Sequence, residues 1–218
     1  MRGEPRRPDL PGAGLPGVHV LRTRDDAAAI LRDAEGRPRV VIIGGGFIGL
    51  EAASALRQQK LDVTVVIPHE VPFRSILGEE IGARLRRLHE ENGVRFVVGE
   101  AERFVGADRV RAVRLGDGNE IEAELVLIGM GIAPATGFAR ALAPAEDGGL
   151  DTDRTLRVRG EVFAAGDVAR FPFGADDAKR IRVEHWRVAE QQGRLAARNM
   201  LGGSQPFDAA PFFWTLHH

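Results

Sequence analysis

The segment from Arg39 to Glu70, RVVIIGGGFIGLEAASALRQQKLDVTVVIPHE, restricts the fold more than any other part of the sequence. A continuous apolar run leads into three consecutive glycines, which is typical of a buried parallel strand that ends in a tight turn. An alanine-rich helical stretch and a second run rich in β-branched residues follow. Because parallel strands need a crossover connection, the segment predicts a βαβ unit within an α/β fold.

The glycines form the motif Gly44-x-Gly46-x-x-Gly49. In such a motif the first glycine permits the tight turn, the second lets the backbone approach a pyrophosphate, and the third lets helix and strand pack closely. The helix N-terminus then offers N–H groups and partial positive charge to the phosphates. A glycine turn that binds nothing is the alternative, but the complete βαβ context favours a dinucleotide. The residues expected around its pyrophosphate are Gly44, Gly45, Gly46, Phe47, Ile48 and Gly49.

The contact to the nucleotide ribose is less clear from the sequence. In this motif an acidic residue usually ends the second strand and accepts hydrogen bonds from the ribose hydroxyls, but here that place falls at Ile67. Glu70 is the nearest acid, and a loop that contains Pro68 would bring it back to the ribose; otherwise Glu70 is a solvated loop residue. His69 and Arg74 could instead face the 2′-phosphate of NADPH. We therefore expect an NAD(P)H site that favours NADH through Glu70.

Composition and charge narrow the function classes. The net charge of −1 gives no electrostatic reason to expect nucleic acid or a membrane surface as partner. No apolar run approaches the ~18 residues of a transmembrane helix, and the N-terminus lacks the apolar core of a signal peptide, so we expect a cytoplasmic protein. With no cysteine the chain has neither a disulfide nor a CxxC redox pair, and its 6 histidines lack metal-ligand spacing. We predict no metal and no catalytic side chain; in an enzyme, bound cofactors would perform the chemistry.

The pattern along the chain predicts three parts: residues 1–36, 37–149 and 150–218. A boundary is expected at Pro38, after the first helix. The second part continues after the βαβ unit with short strands from residue 94, and the hairpin signal GDGN at 116–119 predicts an antiparallel meander. The third part has an expected strand over 161–167 and an expected helix over 183–203. The fold class is therefore a Rossmann-like NAD(P)-binding domain with an inserted meander, followed by a partial second domain.

Two further motifs lie in the third part. EVFAAGD ends in Gly166 and Asp167. A strand-end aspartate can bind a ribityl or ribose hydroxyl, although an aspartate in a turn or at a helix N-cap is the commoner interpretation of this motif alone. EHW, which comprises Glu184, His185 and Trp186, opens the last helix. Trp186 would either stack near an aromatic cofactor or lie half-buried in the core.

Together these segments resemble the FAD-dependent pyridine-nucleotide oxidoreductases, and within them the branch of ferredoxin reductases and apoptosis-inducing factors. The resemblance is carried by five segments in order: VVIIGGGFIGLEAA, VPFRSILGEEIG, LVLIGMGIAPATGF, VFAAGDVARFP and EHWRVAEQQGRLAARNMLG. They span nearly the whole chain. The absence of cysteine fits this branch, whose flavin passes electrons without a protein disulfide.

The resemblance implies roles for individual residues. The glycine motif would hold the NAD(P)H pyrophosphate, and Glu51, just inside the helix, would lie near the nicotinamide and the flavin. Asp167, next to Gly166, would bind the ribityl–pyrophosphate region of FAD. The second wall of the nicotinamide site would comprise Gly129, Met130 and Gly131. The isoalloxazine would lie beside Glu184, His185 and Trp186.

The implied activity is transfer of a hydride from NAD(P)H to FAD, with electrons passed on to a small iron–sulfur protein or a similar acceptor. A complete member begins with its own FAD-binding glycine motif, and no such strand–glycine–helix unit precedes Arg39. We therefore expect an incomplete chain with an NAD domain and one strip of an FAD domain. The alternatives are a non-catalytic NAD(P)H-binding fragment and half of a split reductase completed by a partner chain. We also expect residues 161–167 to lie at an unpaired sheet edge with apolar side chains exposed.

Overall fold

A computed structural model describes residues 3–36, 39–174, 176–212 and 214–218. Their contacts divide the chain into two compact units. We name them the five-stranded unit, which comprises Pro5–Gly131 and Thr215–His218, and the small-sheet unit, which comprises Ile132–Trp214 and the start of the chain through Glu4. No helix formed by the described residues is long and apolar enough to cross a bilayer. Within the same residues, no group of His, Asp or Glu side chains is arranged to hold a metal ion.

The elements up to Ile128 are, in chain order, β1 (Gly3–Pro5), β2 (Val18–Val20), α1 (Arg24–Ala34), β3 (Arg39–Ile43), α2 (Phe47–Gln58), β4 (Asp62–Ile67), α3 (Arg74–Glu91), β5 (Arg95–Val98), β6 (Ala101–Gly106), β7 (Val110–Leu115), β8 (Glu120–Glu122) and β9 (Leu125–Ile128). The later elements are β10 (Ile132–Pro134), a 3₁₀ helix (Gly137–Leu142), β11 (Leu150–Asp151), β12 (Arg157–Arg159), β13 (Val162–Phe163), a 3₁₀ turn (Gly166–Val168), β14 (Ala169–Pro172), β15 (Arg180–Ile181) and α4 (Trp186–Met200).

The five-stranded unit is built on a parallel sheet with the order β2-β9-β3-β4-β5. All four residues of β9 are buried, and so are the last five of β4, because helices cover one face of the sheet and the antiparallel sheet β6-β7-β8 covers the other. One apolar cluster packs α1 and α2 against Val40, Val65 and Leu127. A second cluster packs the other face, including Val41 and Val126, against the antiparallel sheet β6-β7-β8. The predicted α/β class and the predicted meander are confirmed.

The structure divides the chain differently from the sequence pattern. The segment with β2 and α1 joins the five-stranded unit, and the division falls between Gly131 and Ile132 instead of near residue 150. β2 pairs in parallel with β9, and His19 Nε2 lies 2.7 Å from a carboxylate oxygen of Asp33 on α1. Arg109 contacts the same carboxylate. These long-range contacts attach the segment to the sheet, and no local sequence signal reports them. Pro38, the expected boundary, lies outside the described residues.

The small-sheet unit contains three sheets of two or three short strands, β1-β10, β11-β14-β15 and β12-β13. The expectation of one strand over 161–167 is wrong in its extent, whereas the expected apolar exposure is present at Val162, which is 39% exposed in a two-stranded sheet. Only β13 is extended, and it pairs antiparallel with β12, whereas Gly166–Val168 forms a 3₁₀ turn. The apolar residues Ala164 and Val168 are buried. The segment therefore ends as a turn covered by its own unit.

Helix α4 supplies the core of the small-sheet unit. Its N-cap is His185, whose Nδ1 accepts a hydrogen bond from the backbone N–H of Arg187 at 3.2 Å. One face of the helix is buried, and its buried residues are Val188, Gln192, Ala196 and Asn199. The Asn199 side chain bonds the backbone of Thr155 and Gln205, so the helix also fixes the chain that follows it. The predicted helix over 183–203 is present but shorter, since it begins at Trp186 and ends at Met200.

The last four residues lie against α2 and α3 of the five-stranded unit. Thr215 Oγ1 donates to Glu51 Oε1 at 2.7 Å, and the Leu216 N–H donates to the same oxygen at 3.2 Å. His89 on α3 is fully buried, with its Nε2 3.0 Å from His217 Nδ1 and its Nδ1 3.1 Å from His218 Nε2. We name these three residues the histidine cluster (His89, His217 and His218); within it His89 is buried, His217 is half-buried and His218 is exposed.

Burial, with the neighbouring imidazoles of His217 and His218, lowers the pKa of His89 from 6.5 to about 4. Because the folded-state pKa lies below the unfolded one, the stabilisation from neutral His89 is present above pH 6.5 and is lost as the pH falls towards 4. We expect the melting temperature to fall across this window. His89→Gln, which stays neutral and keeps a donor and an acceptor, should give a shallower fall.

Circular dichroism melts between pH 7 and 4 measure this effect. His69→Gln is the matched control, because His69 is an exposed histidine of the same unit. Equal pH slopes for His89→Gln and the unsubstituted chain would contradict the assigned cause.

Candidate cofactor-binding site

The glycine turn after β3 is fixed by backbone contacts that a side chain would prevent. Gly44 has φ +106, and a Cβ there would lie 2.5 Å from the carbonyl oxygen of Gly129 at the end of β9. A Cβ on Gly49 would lie 2.3 Å from the carbonyl oxygen of Gly44. A Cβ on Gly45 would lie 2.6 Å from Ile67 Cγ2. The strand, the turn and the helix thus approach one another at distances that only glycine allows.

The second glycine of the motif differs from the others. A Cβ on Gly46 would meet no heavy atom within 4 Å, so the space beside it is open. Gly46 is the N-cap of α2, and no side chain caps this helix end. The first turn carries no acidic side chain. An α-helix of 12 residues therefore presents its positive end to open space, which suits a pyrophosphate.

A cleft of about 430 Å³ opens at this helix end. It is lined by Gly44, Gly45, Gly46, Ile67, Pro68, His69, Val71, Pro72, Phe73, Arg74, Ser75, Ile76, Gly129, Met130 and Gly131. The structure thus brings together the glycine motif and the predicted second wall at 129–131. Phe47 stands beside the cleft, and its ring centroid lies 4.5 Å from that of Phe73. Phe73 and Ser75 were not anticipated from the sequence, because the loop that carries them has no periodic pattern.

The two glutamates expected near the nucleotide take different places. Glu51 lies on α2, one turn beyond the helix start, with Oε1 accepting hydrogen bonds from Thr215 and Leu216. Glu70 does not line the cleft. Its side chain is 84% exposed and its Oε2 lies 3.4 Å from Arg86 Nη1. The ribose contact expected of Glu70 therefore stays a prediction that this side-chain position does not favour.

In the small-sheet unit, Gly166 and Asp167 form a tight turn that packs against α4. Gly166 has φ +78, and a Cβ there would lie 3.1 Å from Ala189 Cβ. Its N–H donates to Gln192 Oε1 at 2.8 Å. Gln192 is almost completely buried, and its Nε2 has no acceptor among the described residues. A buried amide donor beside a glycine–aspartate turn suits a polar ligand that brings acceptor oxygens.

The three residues of the EHW motif lie at the start of α4. Glu184 is exposed and pairs with Arg182, and Arg182 Nη1 also donates to the backbone carbonyl of Asp167 at 3.0 Å. The rings of His185 and Trp186 are stacked with centroids 5.9 Å apart, and Trp186 is 60% exposed. Trp186 is therefore not a core residue. Arg182, which links Glu184 to the turn, was missed because a lone arginine in a loop carries no sequence signal.

A carboxylate on the other side of Arg182 strengthens this connection. Arg182 Nε lies 3.3 Å from Asp147 Oδ2. Burial alone would raise the pKa of Asp147, but hydrogen bonds from the Gly149 N–H and from Arg182, with the charge of Arg170, hold that pKa below its usual value. Asp147 is thus an anion that keeps the Arg182 guanidinium beside the Asp167 carbonyl.

Comparison with known proteins agrees with this geometry. Residues 3–193 match the family model of the pyridine nucleotide-disulphide oxidoreductases. The chain belongs to this family. Since it contains no cysteine, no disulfide within it takes part in whatever reaction this family member performs.

Relatives in the pyridine nucleotide-disulphide oxidoreductase family are longer than this chain. Apoptosis-inducing factor 3 from Homo sapiens is 34% identical over 216 residues, which is 97% of this chain and 36% of the relative. The ferredoxin–NAD(+) reductase component of the anthranilate 1,2-dioxygenase system from Burkholderia cepacia is 35% identical over 200 residues, which is 91% of this chain and 49% of the relative. The ferredoxin reductase of the CYP199A2 system from Rhodopseudomonas palustris superposes with a TM-score of 0.90 at 32% identity, covering 99% of this chain and 54% of that one. The chain thus spans between about a third and a half of its relatives' length.

The open space at Gly46 gives a prediction for nucleotide binding. Gly46→Val should fold, because its φ of −85 suits any residue and its side chain meets no protein atom within 4 Å. The branched side chain should nevertheless occupy the pyrophosphate position and weaken NADH binding at least about tenfold. Titration of NADH fluorescence measures the loss.

Two glycines serve as controls for Gly46→Val. Gly116→Val places the same side chain in open space of the same unit, away from the cleft, and should leave the affinity unchanged. Gly49→Val should instead lower the melting temperature, because its Cβ would collide with the Gly44 carbonyl. A folded Gly46→Val variant with unchanged affinity would refute the pyrophosphate assignment.

The second prediction concerns the turn in the small-sheet unit. Gln192→Leu removes the acceptor of the buried Gly166 N–H, and an unsatisfied buried donor costs about 1–3 kcal/mol. The peptide that contains Gly166 and Asp167 should therefore exchange its amide hydrogens faster in hydrogen–deuterium exchange. Gln205→Leu, at an exposed position of the same unit, is the control. Equal protection in both variants would show that Gln192 does not hold the turn.

Proposed function

We propose that the complete protein is an FAD-dependent NAD(P)H oxidoreductase, which passes a hydride from NAD(P)H to FAD and electrons on to a ferredoxin-type iron–sulfur acceptor. The single observation that carries the proposal is the uncapped N-terminus of α2 beside an open cleft, with Gly46 facing the open side. This arrangement has the backbone donors, the partial positive charge and the space that a dinucleotide pyrophosphate needs.

The residues of the five-stranded unit hold and orient the nicotinamide nucleotide in this proposal. The backbone from Gly44 to Gly49 binds the pyrophosphate, and the segment 129–131 forms the wall beside the nicotinamide. Glu51 contributes a carboxylate whose position is fixed by two hydrogen bonds from Thr215 and Leu216. The preference for NADH expected from Glu70 lacks a supporting contact, because the carboxylate lies against Arg86.

The residues of the small-sheet unit fit one part of FAD. Asp167 binds ribityl or ribose hydroxyls, with the Gly166 turn and the buried Gln192 amide supplying rigidity and a spare donor. Glu184, His185 and Trp186 flank the isoalloxazine, and the exposed Trp186 ring offers a stacking surface. FAD, when bound, supplies the chemistry of accepting a hydride and releasing single electrons. In this proposal the five-stranded unit serves NAD(P)H and the small-sheet unit serves FAD, in place of the division at 36–37 and 149–150 expected from the sequence.

The acceptor and the location of the reaction are proposed from the relatives. Two of them are named as ferredoxin reductases, so a small iron–sulfur protein is the acceptor that we propose. Most of the FAD site is contributed by residues outside this chain, either in the same polypeptide or in a partner chain. We propose a cytoplasmic setting, with neither nucleic acid nor membrane as partner.

A second candidate function is a nucleotide-binding module that holds no flavin by itself. The observation that favours it is that the described residues contain one strand–glycine–helix unit, whereas FAD and NAD(P)H would each require one. The contacts left for FAD are the Asp167 turn and the start of α4. These contacts are too few to hold a cofactor of this size tightly.

The test is to purify the 218-residue chain and to record its absorbance and its nucleotide binding. We expect a colourless protein that binds NAD(P)H weakly and does not oxidise it with added FAD and ferricyanide or ferredoxin. Flavin absorbance that appears only with a second polypeptide would identify a split reductase. Stoichiometric flavin with turnover in the chain alone would overturn the module interpretation and support a complete FAD site. A folded chain that binds no nicotinamide nucleotide would refute the proposed function.

A further inference from the structure

We infer that the nucleotide cleft selects NADPH over NADH, with Arg74 and His69 as the residues that read the 2′-phosphate. The inference rests on the proposed nucleotide function and names the cofactor more closely. It is carried by the end of β4 and by the charges around the cleft. Four observations support it, and each concerns the five-stranded unit.

The first observation is the residue at the end of β4. An NADH site of this architecture places a carboxylate there to accept hydrogen bonds from the ribose hydroxyls, and the same carboxylate repels a 2′-phosphate. This chain has Ile67, which is 2% exposed and packs against Gly45. The position is filled by a buried apolar side chain. It can neither accept from a ribose hydroxyl nor repel a phosphate.

The second observation is the direction of the nearest acid. Glu70 lies three residues beyond the strand end but does not line the cleft. Arg86 on α3 donates to both its backbone carbonyl and its carboxylate. In the structure the Glu70 carboxylate therefore lies on the α3 side of the loop, outside the cleft lining. No carboxylate is found among the described residues that line the cleft.

The third observation is that side chains able to donate hydrogen bonds line the cleft. Arg74 and His69 are both on its wall, together with the Ser75 hydroxyl. His69 lies in the loop after β4, and Arg74 and Ser75 begin α3 directly after that loop. The adenosine ribose of a dinucleotide extends to this region when its pyrophosphate lies on the glycine motif. A guanidinium can bind two phosphate oxygens at once, which makes it well suited to a 2′-phosphate.

The fourth observation is that Arg74 is available for such a ligand. Its present partner is Glu79, at 3.0 Å, and the two side chains are 51% and 71% exposed. Exposed ion pairs of this kind contribute little stability, so a doubly charged phosphate can replace Glu79 at small cost. Arg74 lies in a single helical turn before the break at Gly78, where φ is +80. The side chain is thus carried by a short segment directly at the cleft.

The experiment measures equilibrium binding of NADPH and NADH to the full 218-residue chain by calorimetry, at low and at physiological ionic strength. Adenosine 2′,5′-bisphosphate and 5′-AMP serve as probes of the 2′-phosphate alone. We expect NADPH to bind about tenfold or more tightly than NADH, with an advantage that shrinks as salt is added. Arg74→Gln should remove about tenfold from NADPH affinity and leave NADH affinity unchanged.

Arg84→Gln is the matched control, because Arg84 is an exposed arginine of α3 that does not line the cleft. It should change neither affinity. His69→Gln should give a smaller loss for NADPH and for the bisphosphate. NADH binding equal to or tighter than NADPH binding, or an Arg74→Gln variant with unchanged NADPH affinity, would overturn the inference while the proposed function stands. Failure of both nucleotides to bind would instead refute the nucleotide site itself.

Discussion

The structure of the five-stranded unit depends on one contact between three pieces of backbone. The end of β3, the start of α2 and the end of β9 meet where Gly44, Gly49 and Gly129 lie. A Cβ on either of the first two would come within 2.5 Å of a carbonyl oxygen, and one on Gly129 would lie 3.2 Å from the Gly49 Cα. Because protein interiors do not absorb such overlaps, any side chain there would separate the helix from the sheet. The position of α2 and the width of the cleft both follow from this contact.

This constraint explains which features could be predicted from the sequence. The glycine spacing, the apolar strands and the hairpin signal are local, so the βαβ unit, the meander and the glycine turn at the start of α2 were correctly predicted. The contacts that join distant segments could not be. The salt bridge of Asp33 with Arg109, the bond from Gly166 to Gln192 and the link from Arg182 to Asp167 connect residues that no periodicity relates.

The expectation of one continuous strand over residues 161–167 was wrong because contacts between distant segments override the local preference there too. Valine, phenylalanine and alanine in a row favour an extended strand. The chain instead turns at Gly166, whose positive φ brings its N–H onto Gln192 and leaves no room for a side chain beside Ala189. Tertiary packing against α4 therefore overrides the local preference after β13. Asp167 lies in this 3₁₀ turn and not in a strand, so the difference from the expected strand changes the candidate site itself.

The two helices that begin beside candidate cofactor residues, α2 and α4, differ in whether a side chain accepts hydrogen bonds from the N–H groups of the first turn. In α4 the side chain of His185 accepts a hydrogen bond from the helix backbone, and its ring stacks with that of Trp186. In α2 the N-cap is Gly46, which has no side chain to accept from the helix backbone. A glycine N-cap is less stabilising than Ser, Thr, Asp or Asn, by roughly a few tenths of a kcal/mol. A fold keeps such an end without loss where a ligand supplies the missing acceptors. The glycine N-cap and the close glycine contacts around it therefore both suit the proposal that a ligand phosphate supplies acceptors to this helix end.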